Sequence, residues 1–524
     1  MLPSKIYESY VLNWLSTEVQ CKSNQYGGVK GCSVAHLLID LWDDVMNNLE
    51  DERAATLVTG VDYAKAFNRL SFQHCLRAFA RKGASSQTIA ILASFLSNRI
   101  MTVRVGDTWS RPRPVYGGVP QGSILGVLLF NISTDDLEDE DEDERRFLSD
   151  SSSGDADMSS SSEDGLPPTT STPVPDRRGR PRIRDSPLRP RGPRLTERDR
   201  SRRPGRKRKR RNLQKRISYS DEGEVSIPDE INTKATGLRW KAKKTRTLKY
   251  VDDKIMATKI HMRSGLLTGH TDGGKPVRVK HDLITQNVFR RVVAKATSRG
   301  MVVNNKKTNL LCISDAMSYK ATAFILDADG ERLSSTNGMK LLGFHLDSRP
   351  SCHAQVEAMK KRMRETVWVL RHLKLSGFTE QELARVYTTV IRPVLDYCCV
   401  VYHAMLTDEQ DQHVERLQAR ALKSIYGYKM SYADMRKKAG VTTLRERRTV
   451  LADKFAEKAA GNPRFRDWFP LRAGRQGGRR AAEVYQEFAA RTDRLHNSPL
   501  YYFRRRLNGK EGRSYGERNK EYRQ

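Results

Sequence analysis

Lys-Tyr-Val-Asp-Asp-Lys at positions 249–254 sets two adjacent carboxylates, Asp252 and Asp253, behind an aromatic and a β-branched residue, with a lysine on either side. The longer stretch TLKYVDDKIMATKI (247–260) is strand-like on both sides of the pair, which predicts a hairpin with the carboxylates near its tip. Asp-Asp is also at home in an ordinary solvated turn. The hexapeptide alone leaves both readings open. A turn needs nothing from the rest of the chain, whereas a site built on charge needs partners elsewhere in the sequence.

The chain has 524 residues, enough for two or three domains, and a formal net charge of +32. Charge of that size points to a polyanionic partner, nucleic acid first and an anionic membrane surface second. The cysteines Cys21, Cys32, Cys75, Cys312, Cys352, Cys398 and Cys399 form no Cys-x-x-Cys pair and no zinc spacing. That argues against a disulfide framework or a structural zinc site and fits a reducing compartment. The N-terminal MLPSKIYESYVLNWL lacks the apolar core and small residues of a signal peptide. The longest apolar run, ILGVLLF at 124–130, is too short to span a bilayer. A soluble, intracellular, basic protein with no membrane partner is expected.

Composition breaks near residue 137. Residues 135–164 carry 14 acidic side chains against 2 arginines, and residues 177–216 carry 20 basic against 3 acidic ones. Hydrophobic residues nearly vanish between them, so the segment cannot bury enough apolar surface to offset its chain entropy. A disordered acidic-then-basic insert over 138–245 is expected. Its run RPGRKRKRRNLQKR (203–216) suits a nuclear import signal or a nonspecific nucleic-acid arm, which leaves a nuclear location open. The flanks read as folded. LSFQHCLRAFARKG (70–83) and SSQTIAILASFLSNR (85–99) have helical spacing, and RIMTVRVG (99–106) alternates like a strand. TSRGMVVNNKKTNLLCIS (297–314) reads as helix end, turn and strand, and GMKLLGFHLD (338–347) as a further strand. From 352 the chain is helical and amphipathic, with basic helices to about 460 and a basic tail over 461–524.

Three segments belong with the Asp pair. VDYAKAFNRL (61–70) places Asp62 after an apolar residue, with Ala66-Phe67 four and five positions on. YGGVPQGSILGVLLFNI (116–132) is a glycine-rich turn, Pro120-Gln121-Gly122, running into an apolar segment. VVNNKKTNLL (302–311) has an Asn-x-x-Lys-Thr pattern, and GMKLLGFHL a Lys-x-Leu-Gly one. With KYVDD, these resemble motifs A to E of reverse transcriptases, in order. SKIYESYVLNWL and QYGGVKGCSVAHLL resemble finger segments of the same family. The chain is similar to the reverse transcriptases of non-LTR (LINE-type) retrotransposons over about 1–137 and 246–430. Each motif is weak alone; five in order form a specific signal.

The resemblance implies an α+β, right-hand polymerase palm with partial fingers, followed by a helical thumb and a basic helical C-terminal region. Partial fingers and the first part of the palm would span 1–137, the second part of the palm 246–350, and the thumb or connection 351–460. The implied activity is RNA-directed DNA polymerisation on an RNA template, from a DNA primer and deoxynucleoside triphosphates. In that reaction a primer 3′-hydroxyl attacks an α-phosphate in line, assisted by two Mg²⁺ ions roughly 4 Å apart, with Mn²⁺ as a substitute. Hard cations take oxygen ligands, one or two carboxylates beside phosphate and water, so carboxylates from separate strands must converge. Asp62, Asp252 and Asp253 are the implied catalytic set, with Tyr63 contributing at the metal beside Asp62.

Phe67 matches the ring that excludes a 2′-hydroxyl, against an ordinary core aromatic. Gln121 and Gly122 match the loop that holds the templating base and incoming nucleotide, against a plain Gly-Pro turn. Lys307 is placed to neutralise or protonate the leaving pyrophosphate, against a solvated surface lysine. Lys340, Lys361 and Arg364 match positions that grip nucleic-acid backbone, against a solvated face.

Two departures qualify the resemblance. The chain starts at MLPSKIYE, without the Arg-Pro-Ile strand, the basic finger residue or the endonuclease domain common in relatives, which reads as an N-terminal truncation. The insert falls between motifs B and C, inside the palm; loop closure cost grows slowly enough with length to tolerate it. The rival readings are an inactive or domesticated nucleic-acid-binding relative, a basic disordered scaffold, and a group II intron maturase.

Overall fold

The computed structural model describes residues 2–51, 54–135, 245–261, 266–270, 276–280, 282–314, 324–472 and 485–509. The expected insert, with its basic run at 203–216, lies outside the described residues apart from Thr245. The two flanks of the insert belong to one compact unit.

Inside that unit runs a four-stranded antiparallel sheet: β1 (Ala54–Val61), β2 (Thr245–Tyr250), β3 (Asp253–His261) and β4 (Asn309–Ile313), in the order β4-β1-β3-β2. The β1 sequence AATLVTGV is almost continuously apolar, as a strand covered on both faces must be. Successive residues serve opposite cores. Leu57, Met256, Leu310 and Cys312 pack on one side, and Val58, Ile255, Ala257, Leu311 and Ile313 on the other. On the first side the core is completed by α1 (Leu2–Glu18), α3 (Phe72–Arg81), α4 (Ser86–Leu96), α5 (Ile124–Ser133) and α6 (Asp282–Ser298). On the second it is completed by α2 (Val34–Leu49), whose Leu37, Leu38, Leu41, Trp42 and Val45 are buried, and by the helices from 353 on.

The helices start where the sequence offers caps. Ser71, Ser85 and Ser123 accept from the backbone N–H three residues on, at the heads of α3, α4 and α5. Later come α7 (His353–Leu375), α8 (Glu380–Val386), α9 (Asp408–Tyr426) and α10 (Leu444–Ala460). The last three open with capping boxes, Thr379 with Glu382, Thr407 with Gln410, and Thr443 with Glu446.

Three expectations change. GMKLLGFHLD is a hairpin, β5 (Gly338–Leu341) and β6 (Phe344–Asp347), because Leu342 and Gly343 both take positive φ, 49° and 83°. The helix expected through TEQELARVYTTVIRPVLDYCCVVYHAML is interrupted. A π-helical turn spans Tyr387–Ile391 just before Pro393, which has no N–H to continue the ladder, and Cys398 is left-handed at φ 51°. The basic tail is, in its described part, folded onto α2. Phe465, Trp468, Phe469 and the residues Leu500–Phe503 of α11 (Pro499–Leu507) are buried there, and the arginines among them are paired: Arg504 Nε donates to Trp468 O at 2.7 Å and Arg506 to Asp453 at 2.8 Å. The charge count hid an aromatic face between the arginines.

Asp135, the last described residue before the insert, accepts at its carbonyl from Lys249 Nζ at 2.9 Å. Lys249 stands four residues into β2, roughly 13 Å along the strand from Thr245. Replacing residues 138–242 by a Gly/Ser linker of about 12 residues, long enough to bridge that gap, is expected to leave the melting temperature within a few degrees, since shortening a loop changes closure entropy only logarithmically. Aggregation or loss of the cooperative melt would show the insert to be part of the fold.

His403 is part-buried, donor or acceptor through Nε2 to Tyr502 at 3.2 Å, with no partner at Nδ1. Burial, aided by Arg448, pushes its pKa down to about 3. The unfolded chain takes up this proton near pH 6.5 and the folded chain does not, so the stability it contributes is lost as pH falls from about 6.5 towards 3. The stability advantage of the wild type over His403→Gln is expected to shrink by on the order of 2–3 kcal/mol between pH 7 and pH 4. Urea unfolding at the two pH values reads the difference; a constant gap refutes it.

Candidate active site

The opening hexapeptide is the turn of the β2–β3 hairpin. Tyr250 pairs with Asp253, leaving Val251 and Asp252 as a two-residue loop. Val251 takes φ 57°, a conformation that a β-branched residue adopts only under constraint. On the neighbouring strand, Val61 pairs with Lys254. Asp62 therefore leaves β1 one step beyond the ladder, level with Asp253. Two adjacent strands thus deliver three carboxylates to one end of the sheet.

The segment after α6 is laced onto Asp62. Ala64 N donates to Val302 O, Asn304 N to Asp62 O, both at 2.8 Å, and Tyr63 bridges Val303. Asn304 Nδ2 then reaches Asp62 Oδ2 at 3.2 Å, and Lys307 Nζ the same oxygen at 3.3 Å. The Asn-x-x-Lys-Thr pattern is thus a holder for Asp62: the asparagine closes on its backbone and carboxylate, and the lysine supplies the nearest cation, on an exposed side chain.

Burial and mutual charge both act against ionisation here. Burial raises the Asp253 pKa to about 6, and the charges of Asp252 and Asp62 add to the rise. Asp252 is also raised, by burial first, with Asp62 adding; its own backbone N–H and Lys307 work the other way. Among the described residues no three His, Cys, Asp or Glu side chains converge closely enough to hold an ion between them. The arrangement instead offers carboxylates in ones and twos around a shared negative space, which suits Mg²⁺ or Mn²⁺ completing its shell with phosphate oxygens and water.

The glycine-rich turn is docked on the residues after Asp62. Gly118 N donates to Leu70 O and Val119 N to Phe67 O, each at 2.7 Å. A Cβ at Gly118 would sit 2.7 Å from backbone atoms of Phe67 and Asn68, and its φ is +75°. Gln121 and Gly122 are exposed in the turn, and Gly122 has φ +81°. Phe67 is half-buried and stacks on Phe130 of α5 with centroids 4.8 Å apart. The carboxylate of Glu8, nine-tenths buried on α1, accepts from Ile124 N at 2.6 Å and Leu125 N at 3.3 Å. It therefore closes the free N–H groups at the head of α5, where negative charge is favoured.

The structure brings Asp62, Tyr63, Asp252, Asp253 and Lys307 together, while Phe67 is tied to the glycine-rich turn and to Phe130. Lys340 on β5 and Lys361 and Arg364 on α7 stand on exposed faces, and none is among the charges that shift Asp252 or Asp253. Glu8 and Gln25–Gly27 lie in the two finger-like segments, which gave no sign of what these residues hold. A lone Glu inside an amphipathic helix offers no signal until its partner helix is placed.

Known proteins bear on this geometry. Residues 2–146 match the model of the family "Reverse transcriptase (RNA-dependent DNA polymerase)". The matched stretch is similar to a reverse transcriptase domain. It holds Asp62, Phe67 and the Gln121–Gly122 turn and ends before the hairpin. The chain is 31% identical over 138 residues, 26% of its length, to the Drosophila melanogaster "Probable RNA-directed DNA polymerase from transposon BS". It is 29% identical over 123 residues, 23% of its length, to the Popillia japonica "Retrovirus-related Pol polyprotein from type-1 retrotransposable element R2". The matches cover 15% and 17% of those relatives' own lengths. The resemblance to retrotransposon polymerases thus rests on about a quarter of the chain. Solved telomerases of Candida tropicalis and Candida albicans, each in complex with the TWJ fragment of telomeric RNA, align with 87% and 84% of the chain and 50% and 58% of their own. They are 12% and 10% identical with TM-scores of 0.33, too loose a superposition to bear on the fold. No described helix is long and apolar enough to cross a membrane.

Gly118→Ala is expected to cost at least about 2 kcal/mol, because it adds left-handed strain to a backbone clash that no side-chain rotation relieves. Gly122→Ala, with open space around it, is expected to cost about 1 kcal/mol. Chemical denaturation of the two proteins reads the contrast; equal losses would mean the turn is not docked as described.

Proposed function

We propose that the chain acts as an RNA-directed DNA polymerase of a non-LTR retrotransposon, transferring deoxynucleotides to a primer 3′-hydroxyl on an RNA template. The observation that carries this reading is the convergence of Asp62, Asp252 and Asp253 at one end of the sheet, beside a domain that matches reverse transcriptases. Three carboxylates so placed repel one another, and the raised pKa values of Asp252 and Asp253 favour a site that receives cations rather than one that stands alone. In this reading the sheet and its hairpins form the palm, over 1–137 and 246–350. The N-terminal helices are partial fingers, and the helices over 351–460 are the thumb.

Mg²⁺, or Mn²⁺ in its place, held by Asp62, Asp252 and Asp253 singly or in pairs and by the Tyr63 backbone, would ease loss of the hydroxyl proton and hold charge on the attacking and leaving oxygens. The protein's own residues orient the rest. Asn304 fixes the Asp62 carboxylate. Lys307, already at that carboxylate, is within reach of a departing pyrophosphate and can give it charge or a proton. The exposed Gln121–Gly122 turn is open to the base pair. The half-exposed Phe67 ring, backed by Phe130, is stiff enough to reject a 2′-hydroxyl. Lys340, Lys361 and Arg364 line exposed faces suited to phosphates.

Primer extension on RNA with deoxynucleotides and Mg²⁺ tests the reading. The wild type should extend, and Asp252→Asn should lower the rate by roughly a thousandfold with RNA binding retained. Phe67→Ala should raise incorporation of ribonucleotides relative to deoxynucleotides by at least about tenfold. Equal extension by wild type and Asp252→Asn sinks the assignment. Salt-sensitive RNA binding without extension by either protein would make the chain a binding relative instead.

A further inference from the structure

The carboxylate hairpin is held from outside motifs A to E. Residues 24–26 run beside β2: Lys249 N donates to Asn24 O at 2.9 Å, Tyr26 N donates to Lys249 O at 2.8 Å, and Gln25 pairs with Lys249 in parallel. Gly27 then lies directly under the strained turn. A Cβ there would be 2.5 Å from Val251 N and 2.8 Å from the Tyr250 carbonyl carbon. The loop is therefore a splint. Its backbone fixes the end of β2, and the absence of a side chain at Gly27 sets how closely the turn approaches.

The splint itself depends on one cation. Arg464, in the 3₁₀ turn Pro463–Trp468, points a single guanidinium nitrogen at three carbonyls of the loop. It donates to Lys22 O at 3.1 Å, to Ser23 O at 2.9 Å and to Gln25 O. Its guanidinium also lies 5.9 Å from the centre of the Tyr26 ring. Three carbonyl oxygens turned towards one point repel unless a donor sits among them. Arg464 is half-buried, so water replaces it poorly. Neighbouring contacts keep both partners in register. Asn462 caps the 3₁₀ turn by accepting from Arg464 N at 3.1 Å, and the Tyr26 hydroxyl and Trp468 Nε1 both donate to Asp40, at 2.5 and 3.2 Å.

We infer that Arg464 is a positioning residue for Asp252 and Asp253, acting through the loop Lys22–Gly27. It couples the C-terminal fold to the polymerase site proposed above, and rests on that proposal for its catalytic consequence. Every sequence motif ends at least a hundred residues before Arg464. A chain can therefore keep Asp62, Asp252 and Asp253 and still lack the geometry they need.

The experiment compares the full-length wild type with Arg464→Ala, Arg464→Lys and Gly27→Ala. Hydrogen exchange of peptides covering 245–256 reads the hairpin without any metal or substrate. Arg464→Ala should speed exchange at the β2–β3 turn at least about tenfold while peptides of β4 and α9 keep wild-type rates. Arg464→Lys, which retains a donor, should recover part of the protection, and Gly27→Ala should lose it from the other side. In primer extension the same variants should lower kcat roughly 10- to 100-fold, with KM for the deoxynucleotide nearly unchanged. Unchanged exchange at the turn in Arg464→Ala overturns the inference, as does exchange that rises equally everywhere. If Arg464→Ala does not fold, Arg464→Lys and Gly27→Ala carry the same test. A wild type that fails to extend refutes the polymerase reading alone, because the exchange result stands without it.

Discussion

Carboxylates at the ends of adjacent strands, part-buried and close enough that the charge of Asp62 adds to the raised pKa values of Asp252 and Asp253, set the constraint that the rest of this structure serves. A protein left to minimise its own free energy would spread them apart or expose them. Here Asp62 is held by a backbone bridge, an asparagine and a lysine, and the Asp252–Asp253 hairpin is clamped by a loop from before α2. The restraints come from two separate stretches of chain, 302–307 and the loop at 24–27. That is what fixing like charges in place demands, since no single local element can oppose their repulsion.

The hairpin shows how the restraint is built. Val251 occupies a backbone region that costs on the order of 1–3 kcal/mol, and Gly27 packs against it closely enough that no other residue fits. Strain at the turn and close packing beneath it are the two halves of one device: the turn is forced into shape, and the glycine lets the forcing surface approach. The same pairing recurs at Gly118, which presses on Phe67 and Asn68 while the glycine-rich turn runs over them.

Ion pairs and helix ends do similar work farther out. Asp135 draws together Lys82 and Lys249, joining α3 to β2 where the insert departs. Glu8 joins α1 to the head of α5. Arg246 meets Asp40 at 2.6 Å and Asp44 at 3.0 Å, tying β2 to α2. These pairs link segments distant in sequence, and each involves a side chain at least partly withdrawn from water. They therefore matter more for register than the exposed pair of Arg104 and Asp107, whose Coulomb energy is screened.

The hairpin around KYVDD and the candidate carboxylates were legible in the residues, because each depends on local pattern or on chemistry with few alternatives. The β5–β6 turn and the break at Pro393 were partly legible: Gly343 and Pro393 were visible, but whether they end one strand or begin another depends on what packs beside them. The aromatic face of the C-terminal segment was masked by its arginines, whose charges vanish as a signal only once Asp453 and the Trp468 carbonyl are placed opposite them. Glu8 and Gly27 stood in finger-like segments without any sign of what they hold, and Arg464 was not legible at all. Sequence by itself determined which groups the chain brings to its site, since carboxylates, glycines and β-branched strands are chosen residue by residue. Tertiary structure alone decided how those groups are held, because three converging carbonyls or a missing Cβ acquire meaning only from a neighbour hundreds of residues away.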